Sequence, residues 1–211
     1  MLNMKQIIAE NPILAIMRNV PKEIAIDYAK AISDGGVKFF EVALNSKDAL
    51  EEIEMLKNYF GENAYIGAGT AITVERAESA VKSGAQFLLA PSTDIDVLSW
   101  CAKENVSILP GALTPTDVST CVRYGFNIIK LFPAGDMPNG YIKSLKGPFD
   151  DTDYVAIGGV NKDNISDFFK QGYIGVGLGS NILPKEAVLK RDWALASDYV
   201  KSLLQKIKEN A

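Results

Sequence analysis

Short β-rich apolar runs recur along the chain at intervals of roughly twenty to twenty-seven residues. Eight of them can be recognised, at positions 13–17, 37–42, 64–68, 86–89, 107–109, 127–131, 154–157 and 174–176. Between the runs, apolar residues recur every three or four positions, as at Leu50, Ile53, Leu56 and Phe60. This spacing is typical of one face of a helix. The pattern therefore predicts a strand followed by a helix, repeated eight times.

Eight strand-then-helix units in about 200 residues, with no linker or low-complexity segment, favour a (β/α)₈ TIM barrel over an open doubly wound sheet, which stays possible. We predict one α/β barrel domain over residues 1–211. Residues 1–10 are expected to form a short extra helix, whose Ile7 and Ile8 would cover the closed end of the barrel. The segment 114–117 predicts a helix start, with Thr114 as N-cap, Pro115 at the first helical position and Asp117 as capping-box acid.

Composition narrows the partners that the protein can have. The chain is 47% hydrophobic and carries a net charge of −4, from 22 basic and 26 acidic residues in mixed order. It has no basic face for nucleic acid or an anionic membrane, so neither partner is expected. The apolar stretch 13–17 is far too short for a signal segment or a membrane span, and a cytoplasmic location is expected. Cys101 and Cys121 fall in apparent helices and are predicted to be reduced packing thiols.

The chain contains no histidine, and this absence excludes several classes of catalytic site. A Ser-His nucleophile pair, a histidine-ligated zinc site and an imidazole acid-base step are all ruled out. Proton transfer is left to Glu, Asp, Lys, Tyr or water. We therefore predict no metal site and no cofactor.

Lys130 is the most informative residue, because it is a lone lysine within the apolar strand-like run 127–133. Burial disfavours the ammonium form and can lower the pKa of a lysine by several units. A neutral amine at a strand end can attack a carbonyl and form a Schiff base. The competing hypothesis is a lysine that simply reaches solvent from the end of the strand.

Other polar residues fall where strands end, which is where barrel enzymes place their chemistry. Arg18 follows the first strand, Glu41 lies in the second and Thr70 follows the third. Strand alternation predicts that Glu41 and Lys130 face inward and meet across the barrel axis. Glu41 could instead be a structural acid paired with Arg18 or Lys130, and Thr70 could be an ordinary turn residue.

Two glycine-rich segments, 156–160 and 175–183, follow the last two strands. The second is expected to be a strand that leads into a short helix. Exposed backbone N–H groups at this point of a barrel commonly bind phosphate. Either segment alone could simply be a tight turn, but the two together favour an anion site.

The chain resembles the 2-keto-3-deoxy-6-phosphogluconate (KDPG) and 4-hydroxy-2-oxoglutarate (KHG) aldolase family nearly from end to end. The resemblance is carried by FEVAL at 40–44, IGAGT at 66–70, LPG at 109–111, IKLFPA at 129–134, KGPF at 146–149, GG at 158–159 and GLGS at 177–180. It implies a metal-independent class I aldolase on a (β/α)₈ barrel, usually a homotrimer, that acts on small molecules.

The resemblance also implies roles for individual residues. Lys130 would be the Schiff-base lysine and Glu41 the acid-base residue. The phosphate site would consist of Gly158, Gly159, Gly179 and Ser180, and the residues around the pyruvyl end would be Thr70, Pro91 and Arg18.

Two positions depart from the family pattern. Many members carry arginine where this chain has Asn45, and threonine where it has Ile157. Without that arginine, the substrate carboxylate would be held near Asn45 by Arg18, Thr70 or backbone groups.

We predict reversible cleavage of KDPG to pyruvate and glyceraldehyde 3-phosphate, and leave KHG open as a further substrate. The galactonate epimer of KDPG is the second candidate, because relatives that act on it look similar at residues 44–46. Two further functions stay open, namely a different sugar-phosphate barrel enzyme, such as an isomerase, and a non-catalytic sugar-phosphate-binding barrel. A metal-dependent aldolase is disfavoured by the absence of histidine.

Overall fold

A computed structural model describes residues 1–209 of the chain. Within this range all paired strands are parallel and form one sheet in the order β5-β4-β3-β2-β1-β9-β8-β7-β6. The strands are β1 Ile13–Met17, β2 Phe39–Ala43, β3 Tyr65–Gly69, β4 Leu88–Leu89, β5 Ile108–Leu109, β6 Gly111–Ala112, β7 Ile128–Leu131, β8 Asp153–Ile157 and β9 Gly175–Leu178. All eight predicted strands are present, with ends that differ by at most two residues.

The extra strand arises because the fifth strand of the barrel is divided at Pro110. Proline has no backbone N–H to donate to a neighbouring strand, so pairing is interrupted at this residue. β5 pairs with β4 and β6 pairs with β7, while the Pro110 carbonyl accepts a hydrogen bond of 2.9 Å from the Lys130 amide. The two ends of the strand order are thus adjacent in the chain, which closes the sheet into the predicted barrel.

Helices alternate with the strands and lie outside the sheet. They are α1 Met4–Glu10, α2 Ala25–Asp34, α3 Ala49–Phe60, α4 Val74–Lys82, α5 Ile95–Lys103, α6 Pro115–Arg123, α7 Tyr141–Lys146, α8 Ile165–Lys170, α9 Lys185–Lys190 and α10 Trp193–Lys208. The predicted capping box at Thr114 and Asp117 is present at the start of α6. Among residues 1–209, no helix combines the length and apolarity that crossing a bilayer requires.

Two apolar layers hold the barrel together. The inner cluster consists of Met4, Ile7, Ile8, Leu14, Ile16, Phe39, Phe87, Leu89, Leu109, Val155 and Ile157. Its first three members belong to α1, and a Cβ built on Gly175 at the start of β9 would lie 2.8 Å from Cγ2 of Ile8. The N-terminal helix therefore covers the closed end of the barrel, as predicted. The larger cluster fills the space between the sheet and the outer helices.

Two local expectations were wrong. Leu50 was assigned to the buried face of α3, but 39% of it is exposed, whereas Ile53, Leu56 and Phe60 are buried. The short helix expected directly after β9 is absent, because Gly179–Ile182 is a turn closed by a 3.0 Å hydrogen bond from the Ile182 amide to the Gly179 carbonyl. The next helix, α9, begins only at Lys185. The two cysteines are free and buried in helices, as expected.

Candidate active site

Lys130 lies on β7 with its side chain inside the barrel. Its neighbours Ile129 and Leu131 pack in the outer cluster, and its register partner Val155 belongs to the inner one. Only 7% of Lys130 is exposed. Burial lowers the pKa of the amine, and the positive charge of Arg18 adds to this effect, while the Glu41 carboxylate opposes it. The side chain is therefore easier to deprotonate than a solvated lysine.

Glu41 lies on β2, and its side chain is also inside the barrel. Phe40 and Val42 pack in the outer cluster, whereas Phe39, two residues before Glu41, packs in the inner one. Glu41 is 3% exposed, and burial raises the pKa of its carboxyl, against the lowering effect of the positive charges on Lys130 and Arg18. Within residues 1–209 it forms no ion pair shorter than 4 Å, so the proposed structural pairing with Arg18 or Lys130 is not a direct contact.

A cavity of about 380 Å³ opens where β1, β8 and β9 end. It brings together five of the predicted binding residues, Arg18, Gly158, Gly159, Gly179 and Ser180. Gly158 and Gly159 have φ values of 91° and 77°, which L-residues with side chains rarely adopt. Glycine at both positions thus lets the backbone turn back along the cavity wall.

Backbone carbonyls of the β8 turn are occupied by protein donors. The Gly158 carbonyl accepts from the Gly135 amide at 2.9 Å, the Gly159 carbonyl from Asn164 Nδ2 at 2.8 Å and the Val160 carbonyl from Asn181 Nδ2 at 3.3 Å. By contrast, the amides of Gly159 and Ser180 donate to no group in the part of the chain that the structure describes. The wall therefore offers hydrogen-bond donors to a ligand, although no helix begins there.

The remaining predicted binding residues, Thr70, Asn45 and Pro91, do not line this cavity. They follow β3, β2 and β4 at the same end of the barrel. The Thr70 hydroxyl lies 3.5 Å from Asn45 Oδ1 and can donate to it. Thr70 has a φ of 63°, which is strained for a β-branched residue, and its carbonyl accepts a 3.4 Å hydrogen bond from Arg76.

Several residues of the site were missed by sequence reasoning. The ring of Phe132 lines the cavity, and its centroid lies 4.9 Å from Nζ of Lys130. Asn164 and Asn181 shape the glycine turns through their amide groups. Strand alternation already places Phe132 on the same face as Lys130, two residues further along, but does not by itself assign it to the site. The two asparagines carry no comparable signal.

The barrel is closed and parallel, and it holds a buried lysine and a buried carboxylate at its open end. Glycine turns follow its last two strands at the same end. These features limit the families to consider. The model of one family, described as "KDPG and KHG aldolase", matches residues 4–198. The chain belongs to this family. It is therefore an aldolase, a carbon–carbon lyase.

Individual relatives of this aldolase are named for different substrates. It is 29% identical over 192 residues to the 2-dehydro-3-deoxy-6-phosphogalactonate aldolase of Escherichia coli K12, covering 90% of this chain and 94% of the relative. It is 27% identical over 185 residues to the 2-dehydro-3-deoxy-phosphogluconate aldolase of Treponema pallidum, covering 87% of each chain. Identities at this level leave the substrate open.

The solved structures include the KDPG aldolase of Legionella pneumophila with pyruvate captured as a covalent carbinolamine intermediate. That structure matches with a TM-score of 0.87 at 28% identity, covering 96% of this chain and 98% of the other. The match extends over almost the whole barrel.

Proposed function

We propose that this aldolase works through a Schiff base on Lys130 and reversibly cleaves KDPG to pyruvate and glyceraldehyde 3-phosphate. The observation that carries the proposal is the buried lysine on β7. Burial lowers the pKa of its amine, and the negative charge of Glu41 acts in the opposite direction. A lysine buried in an apolar barrel interior costs stability unless its charge is paired, and Lys130 forms no ion pair shorter than 4 Å among residues 1–209. An amine nucleophile that forms an imine gives this burial a function, because burial favours the neutral amine.

In the first half of the reaction, the neutral Lys130 amine adds to the C2 carbonyl of the substrate and gives a carbinolamine. Loss of water from the carbinolamine then yields a protonated imine. Glu41, directly or through a water molecule, moves the protons of this dehydration. Burial raises the pKa of this carboxyl and so supports the role, since a carboxyl with a raised pKa is a stronger base once ionised than a solvated one.

In the second half, Glu41 removes the proton of the C4 hydroxyl. The C3–C4 bond breaks, its electron pair moves into the imine to form an enamine, and glyceraldehyde 3-phosphate leaves. Protonation of the enamine at C3 by the same carboxyl regenerates an imine, and water then releases pyruvate and the free lysine. One carboxyl group can serve these successive steps because Glu41 alternately donates and accepts a proton.

The distal phosphate of the substrate would occupy the cavity formed by Gly158, Gly159, Gly179 and Ser180. The unengaged amides of Gly159 and Ser180 in the described part of the chain support this assignment, because backbone N–H groups can bind a phosphate dianion. Arg18, which the family resemblance assigns to the pyruvyl end, lines the same cavity as the glycine turns, so we assign its positive charge to the phosphate instead. The substrate carboxylate would lie near Thr70 and Pro91, with Asn45 at the place where many relatives carry arginine.

A second substrate, the galactonate epimer of KDPG, is supported by two observations. Residues 44–46, with Asn45 where many family members carry arginine, are similar to those of relatives that act on the galactonate epimer, and the relative from E. coli that is 29% identical is named a galactonate aldolase. We also propose a homotrimer, from the family resemblance, which sedimentation can test.

The decisive experiment treats the enzyme with pyruvate and borohydride and maps the modified peptide by mass spectrometry. One reduced pyruvyl group on Lys130 is expected, and Lys130→Arg should abolish both trapping and turnover because a guanidinium stays protonated. Retained aldolase activity with an unmodified Lys130 would contradict the imine mechanism. A panel of both epimers and KHG, read by coupled pyruvate detection, then decides the substrate.

A further inference from the structure

The inner face of β3 carries glycine at two successive inward positions, 67 and 69. In the register between β2 and β3, Glu41 pairs with Gly67 and Ala43 pairs with Gly69. Gly69 is thus the diagonal neighbour of Glu41, two residues further toward the open end of the barrel. Diagonal neighbours on one face of a sheet are within reach of long side chains.

A side chain at position 69 would occupy the place of the Glu41 carboxylate. A Cβ built on Gly69 overlaps Oε1 and Cδ of Glu41, and it lies 2.8 Å from Cγ. A carbon and a non-bonded oxygen lie about 3.3 Å apart at closest favourable contact. With alanine at position 69, the carboxylate would therefore have to retreat by more than about 1 Å.

Conformational freedom does not explain this glycine. Gly69 is a strand residue outside the positive-φ group, and the left-handed turn that follows is made by Thr70. Gly67 differs in its neighbour, because a Cβ there would overlap the ring of Phe87 rather than Glu41. The requirement for glycine at 69 is therefore spatial and concerns one side chain.

Packing is also what fixes the position of the Glu41 carboxylate. In residues 1–209 no hydrogen bond or ion pair holds it. A carboxylate without such partners is placed by the shape of the space that it fills. We infer that Gly69 is a positioning residue for Glu41, whose missing side chain creates the space from which the carboxylate reaches the reacting carbons. This inference rests on the proposed role of Glu41.

The test separates attachment of pyruvate to Lys130 from proton exchange at the pyruvate methyl group. In Gly69→Ala, borohydride with pyruvate should still modify Lys130 on long incubation, although more slowly, because Glu41 also assists the dehydration that forms the imine. Exchange of the pyruvate methyl protons with deuterated water should fall by roughly 10²-fold, the effect that a 1 Å misplacement can have. Gly175→Ala is the control, because it adds the same methyl group at the closed end of the barrel, against Ile8. Any loss in this control should affect both readouts in proportion. The inference would be overturned if Gly69→Ala traps pyruvate on Lys130 and exchanges the methyl protons at the wild-type rate.

A stability cycle tests the same contact without reference to catalysis. Gly69→Ala should lower the Tm in the wild-type background, and this loss should largely disappear in Glu41→Ala, where the atoms beyond Cβ are gone. Equal losses in the two backgrounds would show that Glu41 is not what position 69 accommodates. If instead the effects of the two substitutions on Tm are coupled but pyruvate is never trapped on Lys130 of the wild-type enzyme, the proposed function fails. The contact between position 69 and Glu41 would still be supported.

Discussion

Lys130 and Glu41 lie inside the same barrel and affect each other's charge without forming a direct ion pair. The negative charge of Glu41 favours the ammonium form of Lys130, and the positive charge of Lys130 favours the carboxylate form of Glu41. Burial opposes both, and it is the largest influence on the pKa of each group. Burial thus shifts each group toward its neutral form, which is the form that nucleophilic attack or proton donation requires.

Replacing Glu41 with glutamine should slow proton exchange and shift the pH profile of trapping at Lys130. Exchange of pyruvate methyl protons should fall by roughly 10²- to 10⁴-fold, because a positioned acid-base group is lost. The pH at which trapping at Lys130 becomes efficient should move downward, because the charge that raised the pKa of Lys130 is gone. NMR exchange and a pH series of borohydride trapping measure the two effects. Unchanged exchange would assign the proton transfer to water or another group.

Ser180 tests the phosphate cavity. Ser180→Ala removes the hydroxyl group and keeps the backbone amide. A hydrogen bond to a charged group contributes about 1.5–3 kcal/mol, so loss of the hydroxyl should lower kcat/KM for a phosphorylated substrate by roughly tenfold or more. KHG lacks the phosphate and should be hardly affected. Asn139→Ala, an exposed residue that does not line the cavity, is a control that should change neither substrate. Equal losses on both substrates in Ser180→Ala would mean that the turn supports the barrel instead.

Much of the fold followed from periodicity, because buried parallel strands and amphipathic helices leave regular patterns. The division of the fifth strand at Pro110 did not, since the apolar run at 107–109 gave no sign that pairing resumes at Gly111. The helix expected within 179–183 was wrong for a different reason, because this sequence is compatible with a turn or a helix and tertiary packing decides between them.

For the site, alternation was enough to place Glu41 and Lys130 on inward faces. The role of Gly69 could not be read in the same way. Its closest side chain lies on another strand, and only the register between β2 and β3 brings Glu41 against it. In sequence, Gly69 and Thr70 look like ordinary turn residues. In the structure, the glycine is explained by space and the threonine carries the strained φ.

Glu52 should make the free energy of unfolding depend on pH. It is 2% exposed on α3, its Oε1 has no hydrogen-bond partner within residues 1–209, and burial raises its pKa from 4.5 to about 7, with a further contribution from Asp48. The folded state therefore holds this proton more tightly than the unfolded chain. The resulting stabilisation is complete below pH 4.5 and is lost as the pH rises through about 7.

The loss amounts to at most roughly 3.5 kcal/mol, at about 1.4 kcal/mol for each pKa unit between 4.5 and about 7. Urea unfolding at pH 5 and pH 8 measures it, and Glu52→Gln should flatten the difference. Glu51→Gln is the matched control, because Glu51 is exposed and paired with Lys22, and its pKa is lowered rather than raised. A pH dependence that survives Glu52→Gln would assign the effect to other groups.

Asn45 is the position at which substrate preference can be tested most directly. It lies exposed after β2, and its Oδ1 is 3.5 Å from the Thr70 hydroxyl, so it accepts one neutral hydrogen bond and presents no positive charge. Asn45→Arg would add a guanidinium that can bind a carboxylate with two parallel hydrogen bonds. KHG lacks the phosphate anchor and depends more on its carboxylates, so kcat/KM should improve more for KHG than for KDPG. Asn45→Gln, which lengthens the side chain without charge, should not reproduce the gain. If arginine improves both substrates equally, or neither, Asn45 does not lie at the carboxylate end of the site, and substrate preference must be set elsewhere.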